Sequence, residues 1–150
     1  MPLVVYNTFK RKKEPFKPLK RGQVKIYSCG PTVYDYPHIG NLRSYLFSDI
    51  LRRYLEYKGF KVKLVMNLTD VDDKTIKTSK RQGVSLESYT QKYINAFFED
   101  IDALHIKRAD IYPRATHHIP EMVDLIKKLM SRGYGYQTED GSIYFRVSKF

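Results

Sequence analysis

The sequence YSCGPTVYDYPHIGN at residues 27–41 joins a short apolar run to a long one. Apolar residues alternate with other residues over residues 24–27, which is typical of a strand, and recur with helical spacing over residues 42–55. The sequence therefore predicts a strand, a loop and the start of a helix. The loop carries the chain's only cysteine, Cys29, at its start and a His-Ile-Gly-Asn turn at residues 38–41.

A second apolar run, residues 62–66, follows the helix, which we expect to end at Gly59. Strand, helix and strand over residues 24–66 are the repeating unit of a parallel sheet, so the fold class is predicted as α/β. Ligands of such sheets collect at the carboxyl ends of the strands. Residues 29–41 and 67–73 would both lie there.

The remaining segments predict further helices and a hairpin. We expect one helix over residues 74–81 and another after Ser85, whose stripe from Leu86 to Leu104 is read as core rather than as a base-stacking platform. We expect a third helix to begin at Pro120, with its apolar side inside: Met122, Val123, Ile126, Leu129 and Met130. Residues 134–137 and 142–147 flank a turn signal and predict a hairpin.

Before the first parallel strand, residues 3–6 could form an edge strand, and Pro15 and Pro18 are expected to break any regular element that follows.

The chain has 27 Lys and Arg residues against 16 Asp and Glu, a formal charge of +11, which favours a nucleic acid as partner. The densest basic run, residues 10–13, is predicted to lie in a loop, as a solvated charge run or a phosphate-binding patch.

The bulk composition predicts an ordinary globular domain. A chain of 150 residues can form one well-cored domain. It has no run of 18 apolar residues and no secretory leader, so we expect a cytoplasmic protein without a membrane span. One cysteine cannot form an internal disulfide, in agreement with a reducing compartment.

Three groups of residues carry the candidate chemistry. His38, Gly40 and Asn41 at a helix start offer hydrogen-bond donors suited to triphosphate oxygens, although His38 could also be an ordinary loop histidine. The acidic run at residues 70–73 suits a Mg²⁺ or amine site, or simply a helix N-terminus. Cys29 could be a small buried apolar residue, and no close Cys/His spacing reveals a complete zinc site.

Taken together, these motifs resemble cysteinyl-tRNA synthetase, a class I aminoacyl-tRNA synthetase. The resemblance rests on residues 29–35 with 38–41, on Asn67-Leu68-Thr69-Asp70-Val71-Asp72-Asp73-Lys74, and on matches at residues 6–8 and 113–119. It covers nearly the whole chain in the family's order.

The resemblance implies a Rossmann-type (HUP-like) parallel sheet with flanking helices, in an enzyme that activates L-cysteine with ATP and Mg²⁺ and then transfers it to tRNA(Cys). It implies a monomer with one zinc ion per subunit. The implied site residues are Cys29 as one zinc ligand, Gly30 and Thr69 for the cysteine substrate, Pro31, Thr32, His38, Ile39, Gly40 and Asn41 for ATP, and His38 and Asn41 as catalytic residues. Asn41 replaces the second histidine of the family's "HIGH" signature, so it can donate a hydrogen bond but cannot carry a positive charge.

The family's later zinc ligands and its Lys-Met-Ser-Lys-Ser signature have no counterpart before Phe150. We therefore expect residues 1–133 to be the first half of the catalytic domain and 134–150 the start of the connective insertion, with the rest of the catalytic domain and the anticodon-binding domain outside this chain. The segment alone is expected to be inactive. Three alternatives remain at this point: a mycothiol-type cysteine ligase, a nucleotidylyltransferase, and a non-catalytic RNA-binding fragment.

Overall fold

A computed structural model describes residues 3–150. The strands in this range are β1 (Val4–Asn7), β2 (Lys12–Pro15), β3 (Gln23–Ser28), β4 (Lys61–Met66), β5 (Gly135–Gln137) and β6 (Ile143–Phe145). The same residues form the α-helices α1 (Ile39–Tyr57), α2 (Asp73–Gln82), α3 (Leu86–Ala103) and α4 (Ile119–Ser131), and short 3-10 turns cover Ala115–His118 and Val147–Lys149.

Strands β3 and β4 are parallel and are connected through α1, as the sequence predicts. Their register pairs Val24 with Val62 and Ser28 with Met66. A third segment, residues 110–115, runs parallel to the end of β4: the Met66 amide donates to the carbonyl of Ile111 (3.0 Å) and the Leu68 amide to that of Pro113 (2.8 Å). Among the described residues, the parallel sheet therefore consists of one strand pair extended by this segment.

The core lies between this parallel unit and α3. It is formed by the buried side chains of Val33, Tyr45, Met66, Leu68, Ile94, Phe97, Ile101 and Ile106. Phe97 meets Tyr45 edge to face, with ring centroids 5.4 Å apart. The prediction that the α3 stripe belongs to the core is confirmed, except that its last member, Leu104, is 45% exposed.

Helix α1 forms as predicted, and Gly59 follows its end with a φ of +83°. Its most buried face, however, is not the row of apolar residues that recurs every fourth position from Leu42 to Tyr54. Leu46, Ile50 and Tyr54 are exposed, whereas Tyr45, Asp49, Arg52 and Leu55 are buried. The reason is that α1 packs its polar side against residues 105–110.

Arg52 makes three hydrogen bonds, two of which attach α1 to this segment and one of which stays within α1. It donates to Asp110 (3.0 Å), to the carbonyl of Arg108 (2.8 Å) and to Glu56 (3.0 Å). Asp110 also accepts from the Leu64 amide (2.7 Å), and this bond, with Arg52 beside it, lowers the pKa of that carboxyl group. The network joins α1 to the edge of β4 and so fixes the direction in which the N-terminus of α1 points.

Two other predictions need correction. The basic run does not lie wholly in a loop, because Lys12–Pro15 forms β2 and pairs antiparallel with β1. Pro15 is tolerated because β2 is an edge strand of a two-stranded sheet. Helix α4 begins at Ile119, one residue before Pro120, and has no buried residue, so its apolar side is not inside.

The predicted hairpin is present as β5 and β6, although β6 ends at Phe145. It packs against α4. No helix among residues 3–150 has the length and apolar character needed to cross a membrane.

Candidate active site

The loop between β3 and α1 surrounds a cavity of about 440 Å³. Five of the residues predicted for ATP or substrate binding line it: Gly30, Pro31, Thr32, His38 and Asn41. Tyr34, Asp35, Tyr36, Pro37 and Tyr45 complete the wall. The cavity therefore lies at the carboxyl end of β3, next to the N-terminus of α1.

The backbone of this loop is paired with the residues that follow β4. The Val33 amide donates to the carbonyl of Thr69 (3.1 Å), and the Thr69 amide donates to the carbonyl of Pro31 (3.0 Å). These bonds continue the parallel pairing beyond both strands. They hold Thr69 beside the cavity wall, although its side chain is not part of the lining.

His38 and Asn41 cap the N-terminus of α1 together. The Nδ1 atom of His38 accepts from the Gly40 amide (3.1 Å), and Oδ1 of Asn41 accepts from the His38 amide (3.1 Å). An imidazole whose Nδ1 accepts carries its proton on Nε2, and an amide whose oxygen is used keeps its NH₂ group free. Both side chains therefore present donors, which suits an anionic ligand.

Gly40 allows this arrangement. A Cβ atom there would lie 2.9 Å from the His38 ring, closer than side chains normally approach. Its amide is already bonded to His38, so it is not one of the free helix N–H groups expected from the sequence. The adjacent Ile39 is 82% exposed and is absent from the cavity lining.

Aromatic residues of α3 hold the far side of the loop. The Tyr89 hydroxyl donates to the carbonyl of Tyr34 (2.6 Å), and Tyr93 meets Tyr36 edge to face at 5.3 Å.

Lys74 lies over the Tyr34 ring at 4.6 Å, which adds a cation–π contact and a positive charge near the cavity. Burial, followed by the electrostatic influence of the nearby Cys29, raises the pKa of Tyr45 to about 12, so the Tyr45 hydroxyl stays protonated at neutral pH.

Cys29 is exposed at the end of β3, so it is not the small buried apolar residue considered as an alternative. Within residues 3–150, no three His, Cys, Asp or Glu side chains gather in a way that could hold a metal ion. The described residues thus offer one accessible thiol, and any zinc site that includes it needs ligands from elsewhere.

The acidic run after β4 has structural roles. Asp70 is buried and accepts from the Thr116 amide (2.9 Å) and hydroxyl (2.6 Å). Asp72 caps α2 by accepting from the Thr75 amide (2.8 Å). These contacts favour the helix N-terminus interpretation over a Mg²⁺ or amine site.

The chain resembles known proteins along almost its whole length. The family model for the class I (C) tRNA synthetase catalytic domain matches residues 15–150. The chain belongs to this family. It is 58% identical over 148 residues to a cysteine–tRNA ligase of Brachyspira hyodysenteriae and 55% identical over 148 residues to one of Methanosarcina mazei; each match covers 99% of this chain and 31% of the relative. A cysteine–tRNA ligase of Chlamydia muridarum is 53% identical over 150 residues, which is 100% of this chain and 31% of that protein.

In this class I synthetase domain, sequence reasoning missed two residues that organise the site. Asn67 bonds to both Gly30 and Thr69, and its place at the start of the motif at residues 67–74 was an available signal. Tyr89 holds the loop through its hydroxyl. Nothing in its helical spacing distinguishes it from an ordinary core tyrosine, so only the tertiary structure reveals it.

Proposed function

We propose that this chain is the N-terminal segment of a cysteine–tRNA ligase, which joins cysteine to ATP and transfers the cysteinyl group to tRNA(Cys). One observation carries the proposal: proteins with that name from three distantly related organisms match essentially the whole chain at 53–58% identity. The chain spans 31% of their length, so the activity, substrates and partners are those of a longer protein.

The first step requires two anions to meet. The carboxylate oxygen of cysteine attacks the α-phosphorus of ATP, the bond between the α- and β-phosphates breaks, and pyrophosphate leaves with the electron pair. A hydroxyl of the tRNA's terminal ribose then attacks the carbonyl carbon and displaces AMP. The protein mainly has to position the reactants and stabilise negative charge.

His38 and Asn41 are the proposed catalytic residues because both present donors to the cavity. The Nε2 proton of His38 and the NH₂ group of Asn41 would contact phosphate oxygens during the attack. Removing one such donor costs on the order of a hundredfold in rate. In this proposal Pro31 and Thr32 line the ATP-binding surface, and Ile39 and Gly40 belong to the same signature turn but lie outside the cavity lining.

Gly30, Thr69 and Cys29 form the proposed cysteine side. Cys29 would supply one zinc ligand, and a bound zinc ion would select the thiolate of cysteine over the hydroxyl of serine by direct coordination. We also propose that the β3–β4 pair belongs to a larger Rossmann-type sheet, with residues 1–133 in its first half and residues 134–150 starting an insertion. Two observations support this proposal: one edge of β3 pairs with no other strand among residues 3–150, and the apolar side of α1 is exposed.

The test is ATP–pyrophosphate exchange by the full-length protein with cysteine or serine, followed by transfer to tRNA(Cys) or to an amino-sugar acceptor. We expect exchange with cysteine only and transfer to tRNA only. Transfer to the amino sugar would instead assign a mycothiol-type ligase, and tRNA binding without any exchange would assign a non-catalytic RNA-binding protein. The 150-residue chain alone is expected to give no exchange, because it lacks the family's Lys-Met-Ser-Lys-Ser signature.

A further inference from the structure

Tyr45 contributes a nearly buried side chain to the wall of the cavity. It is 4% exposed, whereas the other two tyrosines of the wall, Tyr34 and Tyr36, are more than a third exposed. The Tyr45 ring packs edge to face on Phe97 and belongs to the hydrophobic core. The core therefore fixes the direction in which the Tyr45 hydroxyl points.

The Tyr45 hydroxyl has no hydrogen-bond partner within residues 3–150. In the same range, no fully enclosed side-chain nitrogen or oxygen atom lacks a partner. The hydroxyl oxygen is therefore not fully enclosed, and the cavity is an open space that Tyr45 borders. A buried tyrosine normally pairs its hydroxyl, because an unpaired polar group in the protein interior is costly. Phenylalanine would fill the same core position without this cost.

Helical spacing places Tyr45 in line with the two donors of the cavity. His38, Asn41 and Tyr45 are three and four positions apart, so they follow one another along one side of α1, beginning at its N-cap. All three line the cavity. The Nε2 atom of His38 and the NH₂ group of Asn41 offer protons there, and a tyrosine hydroxyl also carries its proton at neutral pH. The side of α1 that faces the cavity thus presents three donors in a row.

The groups around the cavity favour a ligand with anionic oxygens. Besides the three donors, Lys74 brings a positive charge to the Tyr34 ring in the wall. Asp35 is the acidic member of the wall, and one of its oxygens accepts from the Tyr36 amide (2.8 Å). A hydroxyl group can donate or accept, but an anionic oxygen can only accept. The Tyr45 hydroxyl would therefore donate to such a ligand.

We propose that the Tyr45 hydroxyl is a third hydrogen-bond donor of this site and binds an anionic oxygen of a substrate. The oxygen belongs either to a phosphate group of ATP or to the carboxylate of cysteine, since the proposed reaction brings these two groups together. This inference rests on the proposed function, which supplies the identity of the ligands. Tyr45 is then a substrate-binding residue as well as a core residue.

The first test is Tyr45→Phe in the full-length protein, measured by cysteine-dependent ATP–pyrophosphate exchange. The change removes one oxygen atom and keeps the ring in the core. We expect kcat/KM for at least one of the two substrates to fall by roughly ten- to a hundredfold, which is the usual effect of losing a hydrogen bond to a charged group. The urea midpoint without ligands should not fall, because the hydroxyl makes no bond to residues 3–150 that the change could remove.

Two other tyrosines supply matched controls. Tyr57, the last residue of α1, is exposed, so Tyr57→Phe should leave both exchange and the urea midpoint unchanged. The Tyr89 hydroxyl donates to the Tyr34 carbonyl, so Tyr89→Phe should lower the urea midpoint. A lower midpoint for Tyr45→Phe would overturn the proposal, because its hydroxyl would then have a structural partner. An unchanged kcat/KM for both substrates would overturn it as well.

The second test identifies the oxygen by equilibrium binding to the unmodified protein and to Tyr45→Phe. ATP is compared with adenosine, which lacks the phosphates, and cysteine is compared with cysteamine, which lacks the carboxylate. Weaker binding of ATP but not of adenosine assigns a phosphate oxygen, and weaker binding of cysteine but not of cysteamine assigns the carboxylate. Weaker binding of adenosine or of cysteamine would overturn the proposal, because the hydroxyl would then contact the nucleoside, the sulfur or the ammonium group.

A lower kcat with unchanged binding of all four compounds assigns an oxygen of the α-phosphate that gains negative charge during the attack. Absence of cysteine-dependent exchange in the unmodified protein would refute the proposed function itself. An active protein whose Tyr45→Phe variant behaves like Tyr57→Phe refutes only this inference.

Discussion

Replacing Gly30 with alanine tests how closely the two strand ends must approach each other. The new Cβ would lie 1.9 Å from the carbonyl oxygen of Asn67, which is 1.5 Å short of the 3.4 Å at which ordinary contact begins. The obstacle is backbone rather than a flexible side chain. The loop that carries Cys29 must therefore move away from Asn67 by about 1.5 Å, and the bond from the Gly30 amide to Asn67 must break.

The size of the effect follows from these two changes. Overpacking in a tight contact costs about 1–3 kcal/mol, and loss of the hydrogen bond costs about 1 kcal/mol. We therefore expect Gly30→Ala to lower the free energy of unfolding by about 2–4 kcal/mol. A displacement of about 1 Å at a reacting centre costs on the order of a hundredfold in rate, so exchange activity of the full-length protein should fall by about that factor.

Urea unfolding of the chain and cysteine-dependent exchange by the full-length protein measure the two effects. Gly59→Ala is the matched control: its φ of +83° makes alanine strained, but no atom lies within 4 Å of the new Cβ. It should cost about 1–2 kcal/mol of stability and leave exchange within about twofold. A change in stability of less than about 0.5 kcal/mol with unchanged activity would refute this reasoning. Such a result would mean that Gly30 and the Asn67 carbonyl are not as close as the structure places them.

Three further predictions concern the thiol and the charge network. Cys29→Ser in the full-length protein should reduce the zinc content and raise the cysteine KM more than the ATP KM; unchanged zinc by elemental analysis would contradict the role proposed for this thiol. Arg52→Ala should lower the free energy of unfolding by about 3 kcal/mol, the lower end for a broken buried ion pair, because its carboxylate partners are about one-third exposed. Arg108→Ala is the control, because Arg108 and its partner Asp102 are both about half exposed, and it should leave the urea midpoint nearly unchanged. Equal effects of the two variants would show that burial of Arg52 does not strengthen its ion pairs. The Leu64 amide and Arg52 lower the pKa of Asp110, so the stabilising contribution of this carboxylate is complete above about pH 4 and is lost as the pH falls through the lowered pKa. Asp110→Asn should therefore make the decline of the free energy of unfolding at acid pH shallower. An unchanged dependence of stability on pH would contradict this prediction.

The sequence alone determined most of the secondary structure, because the signals that start and stop helices are local. Ser85 and Asp72 cap α3 and α2, and Gly83 ends α2 in a left-handed conformation. Each of these contacts joins residues at most a few positions apart. The sequence also located the loop at residues 29–41 at the end of a parallel strand, since this follows from the order of strand, helix and strand.

Only the tertiary structure decided which sides of the helices are buried and how the site residues are oriented. Apolar residues recur along α1 with helical spacing, but Arg52 and Asp49 are buried because they pair with groups at residues 105–110, more than 50 positions away in the chain. The apolar side of α4 shows the same limit of sequence patterns. Amphipathic spacing indicates that the helix has an apolar face, but it does not indicate whether another element of the chain covers that face.

The loop at residues 27–41 shows the same division within the site. Its sequence identified Cys29, His38 and Asn41 as the residues with suitable chemistry. The hydrogen bonds that orient His38 and Asn41 are local, since they join residues two or three positions apart. The role of Asn67 between Gly30 and Thr69 depends instead on a contact between residues 37 positions apart. Residue types determine which groups can donate or accept, and the folded backbone determines which of those groups meet and which remain available to a ligand.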